Sequence, residues 1–212
     1  MLFVTFDNDY CRCLSQYYCM ASLSDFFLSK VRVKLLKIFL NNPEKIFYVR
    51  ELVRLADEEI NAIRRELLRM DDNGMVYKEN RGNRLYYGFK KDYLYYSELI
   101  QLVAKSSGLG GKILKERNRL GKIRYALLSG KFVRKRPRKE TDVDLLVVGD
   151  VVMTQLAALV DEYEKTYKRE VNYSVMTKDE FDFRKNRRDP FIYQILLDSR
   201  VMLIGDEEEL SG

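Results

Sequence analysis

From Ser29 the apolar positions recur at helical spacing. Val31, Leu35, Ile38 and Phe39 share a face, with Leu36 and Leu40 beside them, and Asn41-Asn42-Pro43 stops the run. A short segment through Ile46 and Phe47 leads to a second helix, Val49 to Ala56, expected to bury Leu52, Val53 and Leu55. After Asp57 to Glu59 a third helical run carries Ile60, Ile63, Leu67, Leu68 and Met70, and Asp71-Asp72-Asn73-Gly74 ends it. The period then shortens to two. Met75 to Glu79 and Arg84 to Phe89 read as strands joined through Asn80-Arg81-Gly82-Asn83, a hairpin with strong turn chemistry. Helical spacing returns between Asp92 and Ser107 (Tyr93, Tyr96, Leu99, Ile100, Val103), and Ser106-Ser-Gly-Leu-Gly-Gly111 punctuates the chain most clearly.

Beyond the glycines the alternation of helix and strand predicts a mixed sheet covered by helices. The elements are a helix over 112–120, a strand over 123–128, a turn at Gly130 and a strand over 143–148. A helix over 153–167 comes next, then a strand over 170–176. Thr177-Lys-Asp-Glu180 has the pattern of a capping box opening another helix, 191–197 forms a further apolar segment, and 200–204 a last strand. The expected fold class is α+β. Residues 23–92 form one unit, 93–111 a linking helix and glycine hinge, and 112–212 a second unit. Residues 1–22 read as a loosely attached arm, and Ser24 or Asp25 is able to cap a helix at its end.

Chemistry concentrates in two places. Asp142 and Asp144 stand two apart at the head of Leu145-Leu-Val-Val148, so on a strand their carboxylates project to one side. Paired carboxylate oxygens suit a hard cation such as Mg²⁺ with substrate phosphates completing its shell. Before them, Lys131, Arg134, Lys135, Arg136, Arg138 and Lys139 place six cations in nine residues. Such a run repels itself and calls for compensation. A triphosphate, a nucleic-acid backbone or the acidic tail Asp206-Glu-Glu-Glu209 would each supply it. In the first half, the third helical run carries Asn61, Arg64, Arg65 and Arg69, and the hairpin carries Lys78, Arg81, Asn83 and Arg84. Glu58, Glu59 and Glu66 interrupt the helix, so a solvated ion-paired face is the bland alternative to a ligand surface.

Both halves resemble known families. Three helices followed by a basic-tipped hairpin are similar to the winged helix-turn-helix domain of prokaryotic regulators. The resemblance implies that the third helix enters the major groove of DNA and the hairpin reaches the backbone or minor groove, with the eight polar residues above as contacts. It also implies a dimer built on the linking helix. The segment from Leu128-Ser-Gly-Lys131 to Asp142-Val-Asp144-Leu-Leu-Val-Val resembles the signature of the polymerase-beta-type nucleotidyltransferases, in their minimal form. Arg169-Glu-Val-Asn-Tyr173 and Val201-Met-Leu-Ile-Gly-Asp-Glu207 are similar to a prokaryotic family that fuses such a domain to a winged helix. That resemblance implies Mg²⁺ on Asp142 and Asp144, an NTP held by Gly130 and the loop cations, and a third carboxylate on a neighbouring strand. The chain departs from the pattern twice. Lys131 stands where the family has Ser, and the third acid position is Asn172, leaving Glu170 as the nearest substitute.

Composition narrows the choice. The 212 residues carry a net charge of +6 and 46% hydrophobic residues, which favours a folded protein with an acidic partner, nucleic acid first. No apolar run reaches the ~18 residues of a membrane span. The absence of histidine excludes His-based acid–base and His-ligated metal chemistry. Cys11, Cys13 and Cys19 all precede the globular pattern, and the cysteine-free remainder fits a cytoplasmic setting. The expectation is a DNA-binding regulator whose second unit is a degenerate nucleotidyltransferase that binds nucleotide or nucleic-acid phosphate. The alternatives are an active enzyme moving a nucleotidyl group from an NTP to a protein, RNA or small-molecule acceptor, and an antitoxin-like partner of a helical toxin.

Overall fold

A computed structural model describes Leu23 and residues 27–212. The expected arm (1–22), its three cysteines and the caps at Ser24 and Asp25 lie outside the described residues. The fold is α+β.

Helix α1 (Lys30–Leu40) starts where Ser29 accepts a hydrogen bond from the Arg32 amide, and it buries Val33, Leu35, Leu36, Phe39 and Leu40. The two-residue strand β1 (Phe47–Tyr48) leads into α2 (Val49–Ala56), which ends in a left-handed Asp57. Helix α3 (Ile60–Asp72) is capped by the Glu59 carboxylate, which accepts from the amides of Asn61 and Ala62. Strands β2 (Val76–Arg81) and β3 (Arg84–Phe89) pair antiparallel with Arg81 opposite Arg84; β3 has the predicted bounds, while β2 runs two residues past the predicted Glu79, so only Gly82 and Asn83 form the turn. Gly82 has φ +57, which a two-residue turn of this kind requires at its first central position. Strand β1 joins the other edge of β3, giving the order β1-β3-β2. Leu35, Leu36, Phe39, Phe47, Leu52, Ile63, Leu67 and Met70 make the core of this half, each at 1% exposure or less. Leu55, expected to be buried, is 54% exposed, because α2 turns only Leu52 and Ala56 fully inward.

The linking helix is shorter than expected: α4 spans Tyr96–Ser106, and α5 (Gly108–Glu116) begins two residues later. The glycine run is therefore inside a helix rather than a hinge ahead of one starting at 112. A Cβ on Gly110 would lie 2.3 Å from the Ala104 carbonyl oxygen, so the absence of side chains lets the two helices turn tightly upon each other.

In the second sheet, strand β4 (Gly121–Ser129) is followed by the one-turn helix α6 (Gly130–Val133) and strand β5 (Leu145–Val151). Helix α7 (Met153–Tyr167) then crosses over to β6 (Tyr173–Met176), which runs parallel to β5. Helices α8 (Lys178–Asn186) and α9 (Pro190–Leu197) precede β7 (Arg200–Ile204), and α10 (Glu207–Ser211) comes last. Both β5 and β7 pair antiparallel with β4, giving the order β6-β5-β4-β7. Alternation sorts the faces. Ala126, Leu128, Leu145, Val147, Val201 and Leu203 pack with α5 and α7. Tyr125, Leu127, Leu146, Val148 and Met202 pack with α8, α9 and α10. Thr177 caps α8 as the pattern predicted, accepting from the Glu180 amide at 3.2 Å. The Glu180 carboxylate pairs with Arg184 one turn on. Among the described residues no helix is long and apolar enough to cross a membrane.

The two halves touch. Asn41 donates to Ser107 at 3.0 Å, Lys135 donates to Asn42 at 3.1 Å, and Val133 packs against both cores.

Candidate functional site

Helix α3 and the hairpin carry the first set of expected residues. The three acids that threatened to neutralise α3 are each engaged elsewhere. Glu58 pairs with Lys34 at 2.7 Å, Glu59 caps the helix, and Glu66 is buried facing α1, where it pairs with Arg32 and accepts from Ser29 at 3.0 Å. Burial of Glu66 follows from its place one residue from Leu67 and three from Ile63, on the inward side of the helix. Arg64 and Arg65 are exposed and have no ion pair among the described residues.

A groove opens between α3 and the hairpin. Arg64 and Leu68 form one wall, Asn83, Arg84, Leu85 and Tyr87 the other, and Tyr48, Val49 and Arg50 the end. Arg84 lies over the Tyr48 ring at 5.1 Å, which positions the guanidinium while leaving its charge uncancelled. The structure thus brings Arg64, Asn83 and Arg84 together and adds Arg50, which pattern reading passed over as an ordinary exposed position of an amphipathic helix. Arg65 is exposed but is not among the groove's lining residues, and the remaining expected contacts are tied locally. Asn61 donates to Glu59 at 3.1 Å, Arg69 is 3.8 Å from Glu66, and Lys78 meets Asp71 at 2.5 Å. Arg81 pairs with Glu79 at 2.7 Å, so its charge is partly cancelled while that of Arg84 is not. That contact raises the Arg81 pKa and lowers that of Glu79.

The second set surrounds Asp142 and Asp144, buried at 8% and 1% exposure. Both precede β5, which begins at Leu145 and so leaves Asp144 outside the strand expected from 143. Asp144 is nonetheless fixed like a strand residue: its amide donates to the Asn172 carbonyl at 2.7 Å, and its carbonyl accepts from Ser129 at 2.8 Å. Its Oδ2 accepts from the Asn172 amide at 2.9 Å and pairs with Arg138, while its Oδ1 is buried with no hydrogen-bond partner. Asp142 Oδ2 accepts from the Lys139 amide at 3.0 Å and from Lys131 Nζ at 3.1 Å. Those two contacts, the amide first, hold the Asp142 carboxyl below the usual range, and the hydrogen bond to Asp142 raises Lys131.

The loop departs from a simple phosphate clamp. Gly130 opens α6, and its N–H donates to the Ser199 carbonyl at 2.6 Å. That amide is therefore not presented to a triphosphate. Glycine is required here for another reason, since a Cβ would lie 2.1 Å from Ser199 Oγ and 2.7 Å from its carbonyl oxygen. Lys131 faces Asp198 at 3.5 Å as well as Asp142. Arg134 donates to Ser199 at 3.3 Å and Lys135 to Asn42. Arg136 is exposed with no ion pair among the described residues, and the Lys139 side chain is exposed beside Asp142. The acidic tail does not compensate the loop: Glu209 pairs with Arg124, and Glu207 with Arg200 at 3.3 Å.

Glu170 precedes β6 on exposed chain and offers its backbone carbonyl to Arg138 at 3.1 Å, so its expected place on the same strand face as Asn172 does not arise. Asn172 uses its amide differently from an acid, donating Nδ2 to the carbonyls of Glu140 at 2.9 Å and Asp142 at 3.3 Å. Asp198 was missed by pattern reading, because nothing in its local sequence ties it to Lys131, 67 positions earlier. The pocket beside the Lys131–Asp142 pair, lined also by Phe191, Gln194 and Ser199, has a cavity volume of about 30 Å³, space for a few waters. As arranged, the donor set does not fit Mg²⁺. Each aspartate already holds a side-chain cation, Lys131 on Asp142 and Arg138 on Asp144.

No family model and no curated protein matches the chain. Among solved structures it is similar to reduced HlyU from Vibrio cholerae N16961, at 14% identity and a TM-score of 0.30, over 43% of this chain and 87% of that one.

Proposed function

We propose that this protein is a duplex-DNA-binding regulator, in which α1–α3 and the β2–β3 hairpin act as a winged helix-turn-helix. The second half is then a nucleotidyltransferase-like unit without catalysis. The observation that carries the reading is the groove between α3 and the hairpin. Arg50, Arg64 and Arg84 line it without an ion pair among the described residues, while Glu58 pairs with Lys34, Glu59 caps α3 and Glu66 is buried against Arg32. Uncancelled guanidiniums in a concave surface favour a polyanion, and Arg with Asn83 at the rim can reach both phosphates and base edges.

The test is fluorescence anisotropy of a labelled duplex titrated with the full chain across a salt series. Three groove arginines on three phosphates give a slope of about −2.7 in log K against log salt, and Arg64→Ala or Arg84→Ala each lower it by about 0.9. No duplex binding at low salt, or binding indifferent to both substitutions, would overturn the proposal. Asp142→Asn and Asp144→Asn should leave the slope unchanged.

A further inference from the structure

The DNA reading leaves the acidic centre of the second half unused, and its charges are arranged in an unusual way. Two carboxylates, Asp142 and Asp144, each hold a side-chain cation, Lys131 on Asp142 and Arg138 on Asp144, and Lys131 also reaches Asp198. We infer that Lys131 and Arg138 take the place of a divalent cation at this pair. The centre is then a closed internal latch that does not recruit a metal ion, with a metal site latent beneath it.

The geometry supports this in three ways. The two cations already bring to the Asp142/Asp144 pair the +2 that Mg²⁺ would bring, and a dication entering at the carboxylates would have to approach both of them at short range. The loop is also held from both ends. Lys131 bridges Asp142 and Asp198, at 3.1 and 3.5 Å, and Arg138 reaches from Asp144 to the Glu170 carbonyl. Asn172 then fastens the segment around the acids through the Glu140 and Asp142 carbonyls. A carboxylate at 172 could not donate those bonds, so the amide suits a latch better than a metal site. Finally, Asp144 Oδ1 is buried without a hydrogen-bond partner. Such an atom is costly to keep, and it is an oxygen that a cation could use once the latch is opened.

The latch has a consequence for the whole molecule. With its two ends anchored on the acids, the loop carries Lys135 to Asn42 in the first half and Arg134 to Ser199. The acidic pair thereby supports the docking of the two halves.

Manganese, with its paramagnetic signal from the free ion, is the probe. The full chain is titrated with Mn²⁺ and followed by electron paramagnetic resonance, beside Asp142→Asn. The natural protein and Asp142→Asn should be indistinguishable. Lys131→Ser/Arg138→Ser should gain one Mn²⁺ site about tenfold or more tighter than anything in the natural protein, and adding Asp142→Asn should remove it. Mn²⁺ binding by the natural protein that Asp142→Asn abolishes would overturn the inference. So would a folded double variant, checked by circular dichroism, that gains no site. Should the double variant fail to fold, Lys131→Ser alone decides: a weaker Asp142-dependent site supports the latch, and none refutes it. No DNA enters the experiment, so its outcome is independent of the DNA-binding reading.

Discussion

Truncating Glu66 to alanine separates a structural acid from an acid that restrains the DNA surface. Glu66 lies on the proposed reading helix but is 3% exposed, paired with Arg32 and bonded to Ser29 at 3.0 Å. Removing one partner of a buried pair costs about 3–5 kcal/mol, because the other charge is left without compensation. Here the Arg32 side chain is 26% exposed and can turn partly to water, which discounts the loss to about 2–3 kcal/mol. Glu66→Gln keeps the shape and one acceptor for Ser29, so about half that loss is expected. Urea unfolding followed by circular dichroism measures it: at a slope of ~2–3 kcal/mol per molar, Glu66→Ala shifts the midpoint by about 1 M. A cycle with Arg32→Met should show the two substitutions to be strongly non-additive. Duplex affinity of the folded variant should stay within about twofold, since the carboxylate faces α1 and not the groove. A midpoint shift below ~0.2 M together with tighter DNA binding would refute the assignment and make Glu66 an electrostatic brake.

Three further outcomes are expected. Gly130→Ala drives a Cβ to 2.1 Å from Ser199 Oγ and should cost about 1–3 kcal/mol in a thermal melt; an unchanged melting temperature would show that the Ser199 segment yields freely. The depressed Asp142 pKa contributes stability that is present above the unfolded carboxylate value near ~3.9 and is lost as pH falls through the lower folded value. Asp142→Asn should therefore flatten the acid limb of a stability-against-pH curve, and coincident limbs would contradict the hydrogen bonds drawn from Lys139 and Lys131. In the anisotropy assay Arg81→Ala should weaken duplex binding less than Arg84→Ala, because Glu79 already cancels the Arg81 charge, and the reverse order would place the contact at the hairpin tip.

By itself the sequence determined most of the elements and their order, since helical spacing over 29–40, 49–56 and 60–70 and alternation in 75–89 depend on local geometry alone. It also determined which residues have chemistry to offer: the Asp142/Asp144 pair, the basic loop and the arginines of α3. It misplaced elements where packing overrides composition, as at Gly108, Gly110 and Gly111, which read as a break but form the first turn of α5, where α4 approaches Gly110 and Gly111 too closely for side chains. What only the tertiary structure decided is which charges remain available. Glu66 finds Arg32 across 34 positions, Lys131 finds Asp198 across 67, and Arg50 joins Arg64 and Arg84 only when three elements meet. Ion pairing acts over a few ångströms of space, whatever the separation along the chain. A sequence can therefore count its charges without showing which are cancelled.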